Sequence, residues 1–102
     1  MYAKLHEKDY KGFKRRVVAV CDAKLLGKIF ESNGHVLDLK AYRSFYEGER
    51  VTVTRLGEML EGIENVNLIG EKSIEAASKH IKVSLEKARI IGGVPHLQYY
   101  KL

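Results

Sequence analysis

Three stretches of this 102-residue chain bring together side chains that could do chemistry. The first is Lys8-Asp9-Tyr10-Lys11-Gly12-Phe13-Lys14-Arg15-Arg16, in which every residue but Asp9 and Gly12 is basic or aromatic. Cations attract phosphate, and a flat ring gives an unstacked base a surface to lie on. Lys8, Lys11, Lys14, Arg15 and Arg16 are therefore expected to meet RNA phosphates, with Tyr10 or Phe13 stacking. The plainer reading is a hairpin tip kept soluble by its charges, with its rings folded back on the sheet. The second stretch ends at Cys21, the one thiol of the chain. A nucleophilic thiolate needs a cationic neighbour or a helix start to lower its pKa, and His6, His35, His80 and His96 are the imidazoles on offer. In a Val17-Val18-Ala19-Val20 run, however, a lone cysteine reads equally as a small buried hydrophobe.

The third stretch is Ala88-Arg89-Ile90-Ile91-Gly92-Gly93-Val94-Pro95-His96-Leu97-Gln98, with the one proline of the chain. Paired glycines allow positive φ and close approach, while Pro95 fixes its own φ and extends Val94. The segment reads as a strand with a bend that presents His96. Gly92, Gly93 and His96 then form either a possible ligand loop or a structural corner between two strand halves. Glu58, Glu61 and Glu64 have the spacing of an exposed helix stripe as much as of a divalent-ion site. The junction Ile69-Gly70-Glu71 resembles a strand running into an anion-attracting helix start. It has neither dinucleotide nor P-loop spacing, and Glu71 would satisfy the same dipole. No cofactor and no metal is expected.

Met1–Lys8 alternates as a first strand and Lys14–Asp22 is a second, apolar enough at its end to be covered on both faces. Gly12 lies at or near the hairpin turn between them. Asp22 is placed to cap a single turn over Ala23–Lys28. Further strands are expected at Lys28–Glu31, His35–Leu39, Asn65–Ile69 and the final segment. Tyr42, Phe45 and Tyr46 read as core or lid. Thr54, or alternatively Thr52, caps a helix over Arg55–Glu61. A second helix spans Glu71–Ile81, with Ile74, Ala77, Ser78 and Ile81 inward. Ser84–Lys87 reads as a capped turn, and residues 97–102 as an aromatic, basic edge strand or tail. The fold class is α/β of the α+β kind. One two-layer domain over residues 1–102 has a mixed, mostly antiparallel sheet with two helices on one face. The sheet is expected to include the first hairpin, the Val36–Leu39 region, Asn65–Ile69 and the last strand.

Composition sets the remaining bounds. Net charge is +5 and the sequence pI about 9.4. Residues 1–28 hold eight Lys/Arg against three acids, residues 29–66 four against seven, and residues 67–102 six against three. Basic ends folded to one side would form a phosphate-facing patch. Scarce Asn and Gln point to a thermophilic source. A lone cysteine excludes an internal disulfide. No run is long enough to span a bilayer and the amino terminus lacks signal-peptide character, so the expectation is cytoplasmic.

Several blocks in one order resemble a small, mainly archaeal family, domain-of-unknown-function family 424. They are Met1-Tyr2-Ala3-Lys4 with His6-Glu7-Lys8, Val18-Ala19-Val20-Cys21-Asp22, and Leu25-Leu26-Gly27-Lys28 with Phe30. Phe45 to Val51, Asn67-Leu68-Ile69-Gly70-Glu71-Lys72 and Ile90-Ile91-Gly92-Gly93-Val94-Pro95-His96 complete the set. The resemblance implies a small archaeal α/β protein and transfers no activity. It also implies a short, glycine-rich first hairpin, from which the Tyr10–Arg16 segment departs.

The function expected from the residues is binding of structured RNA, ribosomal RNA in particular. The protein would be ribosome- or translation-associated, with ribosomal or translation proteins as neighbours; nothing points to DNA or a membrane. The alternatives are a protein-interaction module pairing through the Tyr99-Tyr100 edge, and a small enzyme using Cys21, His96 and the Gly92-Gly93 bend.

Overall fold

The computed structural model describes residues 1–101. Six strands form the main sheet in the order β5-β1-β2-β6-β8-β7. They are β1 (Tyr2–Tyr10), β2 (Phe13–Cys21), β5 (Glu49–Arg50), β6 (Asn65–Ile69), β7 (Arg89–Ile91) and β8 (Val94–Tyr100). Every pairing is antiparallel except β2 with β6. Helices α2 (Val53–Leu60) and α3 (Glu71–Ala77) cover one face. Their Leu56, Leu60, Ile74 and Ala77 pack with Val18, Val20, Val66 and Leu68.

The apolar end of β2 is covered on its other face as well, because Ala19 and Cys21 point away from the helices. The cover is a separate hairpin of β3 (Ile29–Ser32) and β4 (His35–Asp38), together with the short helix α1 (Arg43–Tyr46). The Val36–Leu39 region therefore does not join the main sheet, contrary to the sequence reading. The turn at Asn33-Gly34 pairs it locally with β3, and Leu37 and Leu39 drop into the second core with Tyr46, Ile69, Ile91 and Val94. A partial third layer is the result.

All three two-residue hairpin turns place positive φ at both central residues: Lys11-Gly12, Asn33-Gly34 and Gly92-Gly93. That is the turn whose twist matches right-handed strands. The predicted bend in the last segment is thus a complete reversal between β7 and β8. Gly92 is held there from two sides: its N–H donates to Ser32 Oγ at 2.9 Å, and a Cβ on it would fall 2.9 Å from the Glu31 nitrogen. This corner clamps the β3–β4 hairpin to the sheet.

Several boundaries move. Thr52, not Thr54, caps α2, its Oγ1 accepting from Arg55 N–H at 3.1 Å. α3 stops at Ala77, so Ser78 is exposed; Ser73 takes the buried polar position. Asp22 makes no side-chain cap on the 3₁₀ turn Ala23–Leu25. Its buried carboxylate instead reaches across the parallel strands to α3, accepting from Ser73 N–H at 2.8 Å, Ser73 Oγ–H at 2.7 Å and Lys72 N–H at 3.2 Å. A Cβ on Gly70, whose φ is +103, would collide with that carboxylate. Residues 97–100 lie in β8, with their outer edge beyond β7; Leu102 lies outside the described residues.

Candidate nucleic-acid interface

The β1–β2 hairpin is longer than the sheet it belongs to. β6 begins opposite Val17, so Phe13–Arg16 and the facing Glu7–Tyr10 continue past it as a two-stranded ribbon. Lys8, Tyr10, Lys11, Phe13, Lys14, Arg15 and Arg16 are all exposed. The rings do not fold back on the core: Tyr10 is 55% and Phe13 74% exposed.

Strand alternation divides the seven residues between two faces. Glu7 pairs with Arg16 and Asp9 with Lys14, on the side of Val18 and α2. Carboxylates there dilute the positive charge. The opposite side carries Lys8 paired with Arg15, and Tyr10 paired with Phe13. No carboxylate stands on that side of the ribbon. The Arg15 guanidinium lies 5.9 Å from the centre of the Tyr10 ring, within range of a cation–π contact. Lys11 sits at the turn.

Among the described residues, the cations of the ribbon have no carboxylate partner. Ion pairs among the described residues join Arg43 to Glu47 and Arg55 to Glu49 and Glu58. None involves Lys8, Lys11, Lys14, Arg15 or Arg16. Arg16 makes a long contact, 3.3 Å, to the Gly62 carbonyl. It thereby edges a cleft of about 610 Å³ between the ribbon and the start of β6. Lys14, Arg15, Arg16 and Lys101 line this cleft with one carboxylate, Glu64, and with Phe13, Asn65 and Tyr100. Asn65 Oδ1 is closed off from solvent without a hydrogen-bond partner.

Tyr100, Gln98 and Asn65 were missed as site residues. Register places them on the same face as Val17, Arg15 and Phe13, since Val17 pairs with Asn65 and Asn65 with Tyr100. The other end of this face is closed. His6 stacks on Phe45 at 4.3 Å between ring centres, and Tyr46 Oη donates to Asn67 Oδ1 at 3.1 Å. The face is thus covered at the Cys21 end and open at the ribbon end. The only advance signal was the terminal Tyr99-Tyr100-Lys101, whose pairing partner could not be read from spacing.

The remaining candidates are placed quite differently. Cys21 is buried between the layers, and burial followed by the neighbouring Asp22 charge pushes its thiol up to about 12. It is a protonated thiol at neutral pH, donating to the Asp22 carbonyl at 3.4 Å. His96 lies within β8 opposite Ile69 and Arg89, not on the bend. Its Nε2 is enclosed without a partner, and burial, then Arg89, holds its pKa below the usual value. Gly92 and Gly93 form the hairpin corner. Glu58 is engaged by Arg55. No group of three or more His, Cys, Asp or Glu converges on a metal-sized position among the described residues. No helix among them is long and apolar enough to cross a membrane.

The architecture is thus an α+β domain whose sheet is half covered on one face and extended by a basic, aromatic ribbon. The chain belongs to the family described as protein of unknown function DUF424, whose sequence profile matches residues 10–102. The match begins at the ribbon tip, so most of β1 precedes it. The fold resembles the crystal structure of an uncharacterized conserved protein from Methanopyrus kandleri, an archaeon. That likeness has a TM-score of 0.77 at 23% identity, covering 97% of this chain and 89% of the other. No curated protein matches.

Proposed function

We propose that this protein binds RNA, as a ribosome- or translation-associated component contacting ribosomal RNA, and that the β1–β2 ribbon is its contact surface. The observation that carries the reading is the set of ribbon cations without a carboxylate partner, of which Lys8 and Arg15 share a carboxylate-free face with the exposed rings of Tyr10 and Phe13. Lys8, Lys11, Lys14, Arg15 and Arg16 would meet phosphates, and a protein neutralising several phosphates gains affinity by releasing counterions. Such contacts position without specifying sequence. Arg43 and Arg55 show the contrast, since carboxylates already occupy them.

The test is sedimentation of the tagged protein with ribosomal particles from its native host across a salt series. Retention with one subunit at moderate salt, abolished by the double variant Arg15→Glu/Arg16→Glu, supports the reading. Free migration at every salt concentration overturns it.

A further inference from the structure

Three rings stand on the open face: Phe13 at 74%, Tyr100 at 59% and Tyr10 at 55% exposure. Single exposed apolar residues are ordinary on any surface. These three share one sheet face with Lys8 and Arg15, and two of them line the cleft with Lys14, Arg16 and Lys101. Phe13 and Tyr10 are cross-strand neighbours. Tyr100 lies two strands across and level with Val17, four residues further along β2, about 16 Å from Phe13 at ordinary strand spacing and rise. That separation spans a few nucleotides of an extended strand. The guanidinium of Arg15 over Tyr10 keeps one ring beside a cation.

A double helix has little use for such rings. Its base faces are stacked on one another, and proteins meet it through phosphates, 2′-hydroxyls and groove shape. An unpaired segment exposes its base faces to aromatic platforms, with the cations tracking its backbone. Resting on the RNA-binding reading above, we propose that the open face takes an unpaired RNA segment, a loop or linker of a larger RNA. Its bases stack on Tyr10, Phe13 and Tyr100, and its phosphates follow Lys8, Arg15 and Lys101. Stacking accepts every base, since each has a π face to lay on a ring. Recognition is therefore tolerant of sequence.

The experiment compares, by fluorescence anisotropy at low salt, an unpaired oligouridylate of about twelve nucleotides with a blunt RNA duplex of equal length. Wild type is expected to bind the unpaired strand at least about tenfold more tightly. Phe13→Ala and Tyr100→Ala should each weaken that binding about tenfold and leave the weak duplex binding unchanged. Phe13→Leu, which keeps apolar bulk without a π face, should behave as Phe13→Ala. Because these side chains are exposed, the variants should unfold at the wild-type temperature, which circular dichroism checks. Duplex binding as tight as single-strand binding, lost in Arg15→Glu/Arg16→Glu, overturns the stacking proposal and leaves the basic ribbon standing. Equal affinity of Phe13→Ala, Tyr100→Ala and wild type for the single strand also overturns it. No binding of either probe overturns both readings.

Discussion

Replacing Asp22 by alanine removes the carboxylate that ties the end of β2 to the start of α3. Three donors converge on it: Ser73 N–H, Ser73 Oγ–H and Lys72 N–H. The two from Ser73 are buried, and a buried donor left without a partner costs about 1–3 kcal/mol. With the partly exposed Lys72 donor counted at less, the loss comes to about 4 kcal/mol. That is a large share of the roughly 5–15 kcal/mol that holds a domain folded. At about 4–8 °C per kcal/mol for a chain of this size, the melting temperature should fall by about 20 °C. Urea unfolding of wild type, Asp22→Ala and Asp22→Ala/Ser73→Ala measures it. The double variant removes the stranded hydroxyl and should recover about 1 kcal/mol, a non-additivity expected of direct partners. An Asp22→Ala loss below about 1 kcal/mol would refute the claim that this carboxylate holds the junction.

Three further outcomes follow from the same packing. Gly92→Ala and Gly12→Ala both force alanine to positive φ, but only the first meets a neighbour, the Glu31 backbone. Gly12→Ala should cost about 1 kcal/mol and Gly92→Ala clearly more, read from urea midpoints. Burial raises Cys21 from 9.0 and Tyr46 from 10.0, each to about 12. Groups whose folded pKa is raised stabilise fully below the unfolded pKa, so stability should be lost as pH climbs from 9.0 towards about 12. At neutral pH Cys21 should react with a thiol reagent no faster than the chain unfolds. His96 has a depressed pKa, so its contribution is present above 6.5 and lost as pH falls below it. His96→Gln should flatten the acid side of the stability profile.

Much of the fold was legible because its signals are local. The continuous apolar run at Val17–Cys21 announced a strand covered on both faces, and Gly12 marked the first turn. The stripe Leu56, Leu60 and Ile63 placed α2 to within two residues. What escaped were long-range choices. Asp22 looked like the cap of the turn beside it, yet its partner is Ser73, fifty-one positions away. The His35–Asp38 alternation is equally that of a sheet strand and of a small hairpin, and only the docking of Leu37 and Leu39 decides between them. The ribbon's composition was plain in the sequence. Its division into a charge-mixed face and a carboxylate-free face needed the register of Glu7 with Arg16 and Lys8 with Arg15. Tyr100 joined the site only through β6.

The most direct test of RNA binding by the ribbon is the salt dependence of affinity for a ribosomal RNA fragment. Each phosphate contact adds about 0.7–0.9 to the slope of log affinity against log salt. Wild type should show a steep slope, and Arg15→Glu/Arg16→Glu one shallower by about 1.5 or more, with weaker binding throughout. Identical affinity and slope in the two proteins would contradict the account.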